Sequence, residues 1–223
     1  ITAKLADPGK IFSKAEFEHI NKYVTARDYL FNLADYLQQN PEQQIVMFPW
    51  QATGSKKVVT NTFPVLADPA EKLPAVVVTP GEIESFSFVL RSRDAISNIM
   101  IEASDFTHAF DAGQKIDSDA IDIRLVKSWY QAAEDTLSVK QNNKVLVPEL
   151  LLKNDELVKV SLEDQTNKLQ ITTTDGQVDH DISSYHSLMP YDAALEDSVQ
   201  LLPFEMSAFT NKQVWINVEI PED

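Results

Sequence analysis

The chain has 223 residues, of which 19 are Lys or Arg and 34 are Asp or Glu, so its formal net charge is −15 at pH 7. A content of 43% hydrophobic residues is typical of a folded globular protein, and the absence of Cys excludes disulfides and cysteine-ligated zinc. The negative charge disfavours nucleic acid as a partner, and no apolar run approaches the roughly 20 residues that a membrane-spanning helix needs.

The first element along the chain is a predicted long helix over residues 13–39. Ser13 and Glu16 have the spacing of a capping box, in which the two residues satisfy free N–H groups at a helix start. An apolar stripe follows at helical spacing, and Asn40-Pro41 ends it. We expect this stripe to pack against a sheet, with a partner-binding helix as the alternative. Residues 1–41 are therefore predicted as an N-terminal helical segment that packs on the domain after it.

After Pro41 the pattern changes to short β-prone segments bounded by Pro, Gly, Asn or Asp. The predicted strands are Ile45–Phe48, Lys57–Phe63, Ala75–Thr79, Phe86–Leu90, Ile99–Glu102, Ile121–Trp129, Leu169–Thr173, Val199–Phe204 and Val214–Ile220. Many short strands and few helices favour a mainly β fold. We predict an antiparallel β-sandwich over residues 42–223, with one long N-terminal helix and a few short helices.

Four local patterns add detail to this prediction. Pro80-Gly81 predicts a turn, and Pro148–Leu152 is interpreted as a short helix or a tight connector. Residues 175–198 are rich in Asp, Ser, Tyr and His without clear periodicity, which is typical of a long structured loop. In the last strand Trp215 is out of phase with the apolar Val214, so we expect its ring on the opposite face of the sheet.

Several common catalytic and cofactor motifs are missing from the sequence. There is no G-x-S-x-G nucleophile elbow, and the 5 Gly residues form no phosphate-binding loop. We therefore predict no catalytic residue and no cofactor in this chain.

Two segments carry residue types that bind metals. Asp179-His180-Asp181, together with His186, has suitable ligands, but the spacing matches no standard site, so we expect a polar loop. Residues 117–122 (DSDAID) begin like a calcium loop but lack its Gly and its final Glu, which leaves only a calcium site of another type as the alternative. We predict no metal site.

Aromatic side chains are the remaining candidates for ligand binding, because an aromatic ring suits the apolar face of a sugar. Most large aromatic residues fill cores, so packing in the core or between domains is the main alternative. The predicted carbohydrate-binding residues are Trp50, Tyr185, Tyr191 and Trp215.

Three groups of segments occur in the same order as in one known family. They are 79–88 (TPGEIESFSF); 126–131 (VKSWYQ) with 146–152 (LVPELLL) and Asn154-Asp155; and 202–204 (LPF) with 211–218 (NKQVWINV) and 220–223 (IPED). Together they resemble the N-terminal β-sandwich region of large bacterial multidomain proteins similar to glycoside hydrolase family 123. The resemblance covers residues 75–223, and the helix predicted at 13–39 lies outside it.

The resemblance implies that the chain is a piece of a longer protein, which continues after Asp223 into another β-domain and a catalytic (β/α)8 barrel. A start at Ile1 without Met or a signal-peptide pattern agrees with a processed or excised segment. In that family the catalytic carboxylates belong to the barrel, so the resemblance assigns no catalytic residue to this chain.

Our leading hypothesis is a non-catalytic N-terminal accessory β-sandwich domain of a secreted bacterial glycan-degrading glycoside hydrolase, which scaffolds a downstream catalytic domain. We expect a secreted or periplasmic location, or surface anchoring of the full-length protein. The expected partners are downstream domains of the same polypeptide and a polysaccharide. A carbohydrate-binding module and a cell-surface adhesion or assembly domain are the alternatives.

Overall fold

The computed structural model describes residues 13, 14, 16, 20, 34, 38, 41–50, 58, 60, 77–111, 113–132, 144–183, 189–190 and 193–222. Within these residues the chain is mainly β. The strands are β1 (Ile45–Trp50), β2 (Ile83–Ser92), β3 (Ile96–Ile99), β4 (Phe106–Thr107), β5 (Lys115–Ile116), β6 (Ile121–Ala132), β7 (Lys144–Leu152), β8 (Val158–Ser161), β9 (Thr166–Thr173), β10 (Gly176–Asp181), β11 (Phe204–Met206) and β12 (Asn211–Glu219). Two short 3-10 helices, Ser118–Ala120 and Asp155–Leu157, precede β6 and β8.

All strand pairs in the described part of the chain are antiparallel. The largest sheet has the order β1-β2-β12-β6-β7, and smaller sheets are formed by β10-β9-β8, β11-β3 and β4-β5. None of these described sheets closes into a barrel. The prediction of a mainly β, antiparallel fold is confirmed.

The main hydrophobic core lies on one face of the five-stranded sheet. Phe88 on β2, Leu125 on β6 and Val214 on β12 are buried there, because residues of the same phase point to the same side of a pleated sheet. Phe204 and Met206 of β11 are buried in the same cluster. The small sheet β3-β11 therefore packs on this face, and the predicted alternation along the last strand is confirmed.

The predicted N-terminal helix falls mostly outside the described residues, and no complete α-helix lies within them. The Ser13 N–H and Oγ groups donate to Glu16 Oε2 at 3.0 and 2.9 Å, and the Glu16 N–H donates to Ser13 Oγ at 3.3 Å. These are the hydrogen bonds of a capping box. The backbone is helical at positions 14, 16, 20, 34 and 38. The remainder of the helix, and the division into residues 1–41 and 42–223, stay predictions.

Pro148–Leu152 is not a helix or a connector but the second half of strand β7. Lys127 pairs with Leu150 and Ser128 with Pro148, so Glu149 is an extra residue and forms a bulge. A proline cannot donate to a ladder of hydrogen bonds and is tolerated in a strand mainly at an edge or a bulge. Pro148 lies on an outer strand and next to a bulge, so β7 accommodates the proline that indicates a break in the sequence pattern.

Other predicted boundaries also differ from the structure. Part of the predicted loop 175–198 is strand β10, which pairs with β9 from Gly176 to Asp181. The strand predicted from Val199 begins only at Phe204, and Val199 itself is 87% exposed. Residues 77–79 and 100–102 are not in strands.

None of the helical residues described belongs to a helix long and apolar enough to cross a membrane.

Candidate functional site

The second face of the five-stranded sheet carries a group of polar side chains around one tryptophan. Trp215 on β12 pairs with Ser87 on β2 and with Arg124 on β6, and Asn217 pairs with Ser85 and Asp122 in the neighbouring row. Directly paired residues of an antiparallel sheet project to the same side. We call the part of this sheet face formed by Ser85, Ser87, Asp122, Arg124, Trp215 and Asn217 the Trp215 face; within it Ser87 is buried.

Asn217 fixes the orientation of the tryptophan ring. Its Oδ1 atom accepts a hydrogen bond of 2.8 Å from Trp215 Nε1 and one of 2.7 Å from Ser85 Oγ. In the described part of the chain the Nδ2 group of Asn217 has no protein partner. Trp215 and Asn217 are both half-buried, so each residue keeps some exposure to solvent.

Asp122 holds two cations at the side of the tryptophan. Its Oδ2 atom is 2.6 Å from Arg124 Nε, and its Oδ1 atom is 2.7 Å from Lys153 Nζ. Burial acts to raise the pKa of Asp122, but the hydrogen bonds and charges of Lys153 and Arg124 outweigh it and lower that pKa. Asp122 is therefore ionised at neutral pH, and the three groups together carry a net positive charge.

The Arg124 guanidinium group is only partly used. Its Nε atom is bound to Asp122, whereas neither Nη atom has a protein partner among the described residues. The Arg124 side chain is 35% exposed. A guanidinium group presents its N–H donors as a planar fork that matches a carboxylate or two neighbouring acceptors. The Trp215 face thus places an aromatic ring beside a free pair of donors.

Trp50 lies in the same cross-strand row as Trp215. It pairs with Ser87, whose Oγ atom donates to the Trp50 carbonyl at 3.0 Å and accepts from Gln213 Nε2 at 3.0 Å. Two strand spacings separate the tryptophans, about 10 Å in the sheet. Trp50 is half-buried against a second hydrophobic cluster that contains Phe48 and Val89. Its ring therefore has a packing role beside the Trp215 face.

The structure brings together two of the four predicted carbohydrate-binding residues, Trp50 and Trp215, on one sheet face. Tyr185 and Tyr191 lie outside the described residues, so their role stays a prediction. The sequence reasoning did not identify Asp122, Arg124 or Asn217 as parts of the same surface. The polar phase of β12 was a usable signal for Asn217, but only the register between strands brings Asp122 and Arg124 beside it.

Within the described residues, the two segments with metal-ligand residue types do not form clusters. Along β10 the side chains of Asp179 and Asp181 project opposite to that of His180. Asp179 Oδ2 binds Lys159 Nζ at 2.8 Å, and Asp181 Oδ1 accepts the N–H of Ser183 at 2.8 Å. Of the residues whose positions are described, no three His, Asp or Glu side chains group closely enough to hold a metal ion. His186 lies outside the described residues.

A further charged cluster is buried where β6 and β12 meet the second 3-10 helix. Lys212 Nζ is 2.7 Å from both carboxylate oxygens of Asp155, and Lys127 Nζ is 3.3 Å from Oδ1. Lys127 Nζ also donates to the Asp155 carbonyl at 2.7 Å. The three side chains are only 9 to 13% exposed. We interpret the Lys127–Asp155–Lys212 cluster as a structural link between the sheet and this helix.

Comparisons with known proteins give a limited result. No protein-family model and no curated protein matches the chain. One solved structure with weak similarity to the chain is a family 123 glycoside hydrolase from Clostridium perfringens, described in work on glycolipid glycan hydrolysis. The similarity has 14% sequence identity and a TM-score of 0.34, and it covers 65% of this chain. The chain corresponds to 16% of the length of that enzyme chain.

Proposed function

We propose that the chain is a non-catalytic accessory β-sandwich domain of a secreted or periplasmic bacterial glycoside hydrolase that degrades glycans. Its role is to scaffold a downstream catalytic domain of the same polypeptide. The family resemblance of three groups of segments supports this proposal: 79–88; 126–131 with 146–152 and 154–155; and 202–204 with 211–218 and 220–223.

The observation that carries the proposal is where these segments lie in the fold. They contribute to β2, β12, β6 and β7, which are four consecutive strands of the largest sheet. Segments distant in sequence are thus neighbours in space, as expected of positions that define a common framework. The matched residues therefore support a structural role for the shared region.

A hydrogen-bonded tie joins the first matched segment to the last. Thr79 to Glu82 form a turn in which Glu82 N–H donates to the Thr79 carbonyl at 3.3 Å, and Gly81 has the positive φ of 79° that a type II turn requires. Gly81 N–H lies 3.1 Å from the Ile220 carbonyl and 3.2 Å from that of Pro221. Ile220 N–H donates back to the Glu82 carbonyl at 2.9 Å. This tie holds the end of β12 and supports a fixed exit direction for the chain.

The scaffold role is tested in the longer protein by weakening this tie. Gly81→Ala introduces a side chain at a positive φ, so it should uncouple the unfolding of residues 1–223 from that of the catalytic part in calorimetry. Gly176→Ala is the matched control, because Gly176 also has a positive φ, of 113°, but is the first residue of β10, directly after the turn from β9. Equal effects of the two substitutions would argue against the role of the tie. Polysaccharide cleavage by the 223-residue chain alone would overturn the accessory role.

A carbohydrate-binding module is the second candidate function, and the Trp215 face favours it. An ordered indole ring next to free N–H donors is a suitable surface for a sugar, whose apolar face stacks on the ring while its oxygens accept hydrogen bonds. Affinity electrophoresis through gels that contain different polysaccharides tests this function. Retardation that Trp215→Ala abolishes would support it, and unchanged migration in every gel would exclude it.

A further inference from the structure

The hydrogen-bonding groups of the Trp215 face differ in their availability. Among the acceptors, Asn217 Oδ1 already accepts two hydrogen bonds, and each oxygen of Asp122 already contacts one cation. The nitrogen groups of this face without any partner in the described part of the chain are the Arg124 Nη atoms and Asn217 Nδ2, and both are donors. A ligand that offers acceptors, rather than hydroxyl donors, fits this surface best.

The free donors of Arg124 have a defined geometry. Asp122 occupies the Nε atom at 2.6 Å, which leaves the two Nη atoms as a pair of donors without a partner in the described part of the chain. Such a pair matches the two oxygens of one carboxylate, and charged bidentate contacts are roughly twice as strong as neutral hydrogen bonds. Lys153, 19% exposed and bound to the other oxygen of Asp122, leaves the local charge positive.

Two further carboxylates flank this surface. Glu219 is two residues beyond Asn217 on the same face of β12 and is exposed. Asp197 accepts the backbone N–H groups of Lys153 and Asn154, both at 2.8 Å. Glu219 lies one row beyond Asn217 and Asp197 is engaged with two backbone N–H groups, whereas Arg124 and Trp215 are direct partners across the strands. A bound carboxylate therefore meets Arg124 first.

We infer that the Trp215 face binds a saccharide that carries a carboxylate, a uronic-acid residue, with the sugar ring on Trp215 and the carboxylate on the Nη pair of Arg124. Asn217 Nδ2 donates to a ring or hydroxyl oxygen of the same sugar. This inference rests on the second proposed function, carbohydrate binding, and adds its ligand class. At a net charge of −15 the chain as a whole repels acidic polymers, so binding depends on this local contact and not on the overall charge.

The test uses two ligands that differ only at the carboxylate: trigalacturonate and its fully methyl-esterified form. Titration calorimetry of the 223-residue chain at 0.15 M salt should give at least tenfold tighter binding of trigalacturonate, because the ester loses the charge and one strong acceptor. Arg124→Gln should remove the preference. Arg124→Lys keeps the charge without the paired donors and should leave an intermediate preference for trigalacturonate. This variant also tests the inference if Arg124→Gln does not fold.

Control variants separate the two levels of the proposal. Trp215→Ala should weaken binding of both ligands, and Lys168→Gln, which removes an exposed cation on β9, should change neither. Equal affinities of both ligands would overturn the carboxylate specificity while carbohydrate binding stands. No binding of either trimer, together with no retardation by any polysaccharide, would overturn both.

Discussion

Asp155 is a buried charged residue whose loss should strongly destabilise the fold. It is the shared counterion of Lys127 and Lys212, and all three side chains are nearly inaccessible to water. Asp155→Asn keeps the size of the side chain but removes its charge, which leaves two ammonium groups buried without a carboxylate. Removing one partner of a buried ion pair lowers the free energy of unfolding by about 3–5 kcal/mol. For a domain of this size that cost lowers the melting temperature by roughly 6–20 °C.

The two lysines should not be equivalent. Burial lowers the pKa of Lys127, and the repulsion of Lys212 acts in the same direction, so the attraction of Asp155 is not enough to compensate. Lys212 contacts both carboxylate oxygens at 2.7 Å, whereas Lys127 lies 3.3 Å from one of them. Lys127→Met leaves one cation with one carboxylate and should change the free energy of unfolding by less than about 1 kcal/mol. Lys212→Met should cost more than Lys127→Met.

The pH dependence of this cluster has a definite sign. Burial acts to raise the pKa of Asp155, but Lys212 and Lys127 outweigh it, so the pKa in the folded state lies below that of the unfolded chain. A carboxyl group with a lowered pKa stabilises the fold above its unfolded pKa, and this contribution disappears as the pH falls through the folded pKa. The difference in stability between the wild type and Asp155→Asn should therefore be largest near neutral pH and shrink in acid.

Urea denaturation followed by tryptophan fluorescence measures these free energies, with calorimetry for the melting temperature. Asp105→Asn is the control, because Asp105 also binds a lysine, Lys115 at 2.8 Å, but in a solvent-exposed pair. It should leave the melting temperature unchanged. A loss below about 1 kcal/mol for Asp155→Asn, or a loss for Lys127→Met as large as that for Asp155→Asn, would refute the reasoning.

Three further predictions concern stability. Phe209 is 68% exposed and has a left-handed backbone with φ of 59°. Phe209→Asn should therefore raise the free energy of unfolding by about 0.5–1 kcal/mol in urea denaturation, because Asn tolerates this backbone conformation better. A lower free energy of unfolding would show that the ring makes a needed contact. Asn167 is 2% exposed, and its side chain forms hydrogen bonds of 2.9 and 2.7 Å with the backbone N–H and carbonyl groups of Tyr130. Asn167→Ala should therefore lower the free energy of unfolding by about 2–3 kcal/mol. A neutral effect would contradict this link. Trp129→Phe removes the 3.1 Å hydrogen bond to the exposed bulge residue Glu149 and should cost about 0.5–1.5 kcal/mol. Glu149→Gln should reproduce part of this loss. Additive losses in the double variant would argue against the contact.

The sequence predicted the strands whose two faces differ in polarity. In β12 the alternation of Val214 and Trp215 defines one apolar and one polar face, and a period of two is a strong signal of a half-buried strand. The prediction failed where a proline lies inside a strand. Pro148 indicates a break by its local chemistry, but β7 is an outer strand with a bulge at Glu149, and that tertiary context removes the penalty.

The candidate site was less predictable than the fold. Trp215 was identified because its phase within one strand is a local property. Asp122 and Arg124 are far from it in sequence, and only strand pairing places them beside it. Their neighbours in space depend on register, and a shift by one residue would move each of them to the opposite face.

The outer strands of the five-stranded sheet share one feature that bears on self-association. In the described part of the chain β1 and β7 are the outer strands, and each contains a proline, Pro49 and Pro148. An outer strand with free N–H and carbonyl groups is a template for the addition of another chain, and a residue without an N–H group interrupts that template. The prolines therefore protect both sides of the sheet against edge-to-edge aggregation. Pro49→Val and Pro148→Val would restore continuous edges and favour oligomers or fibres of a chain that is otherwise kept apart by its negative charge.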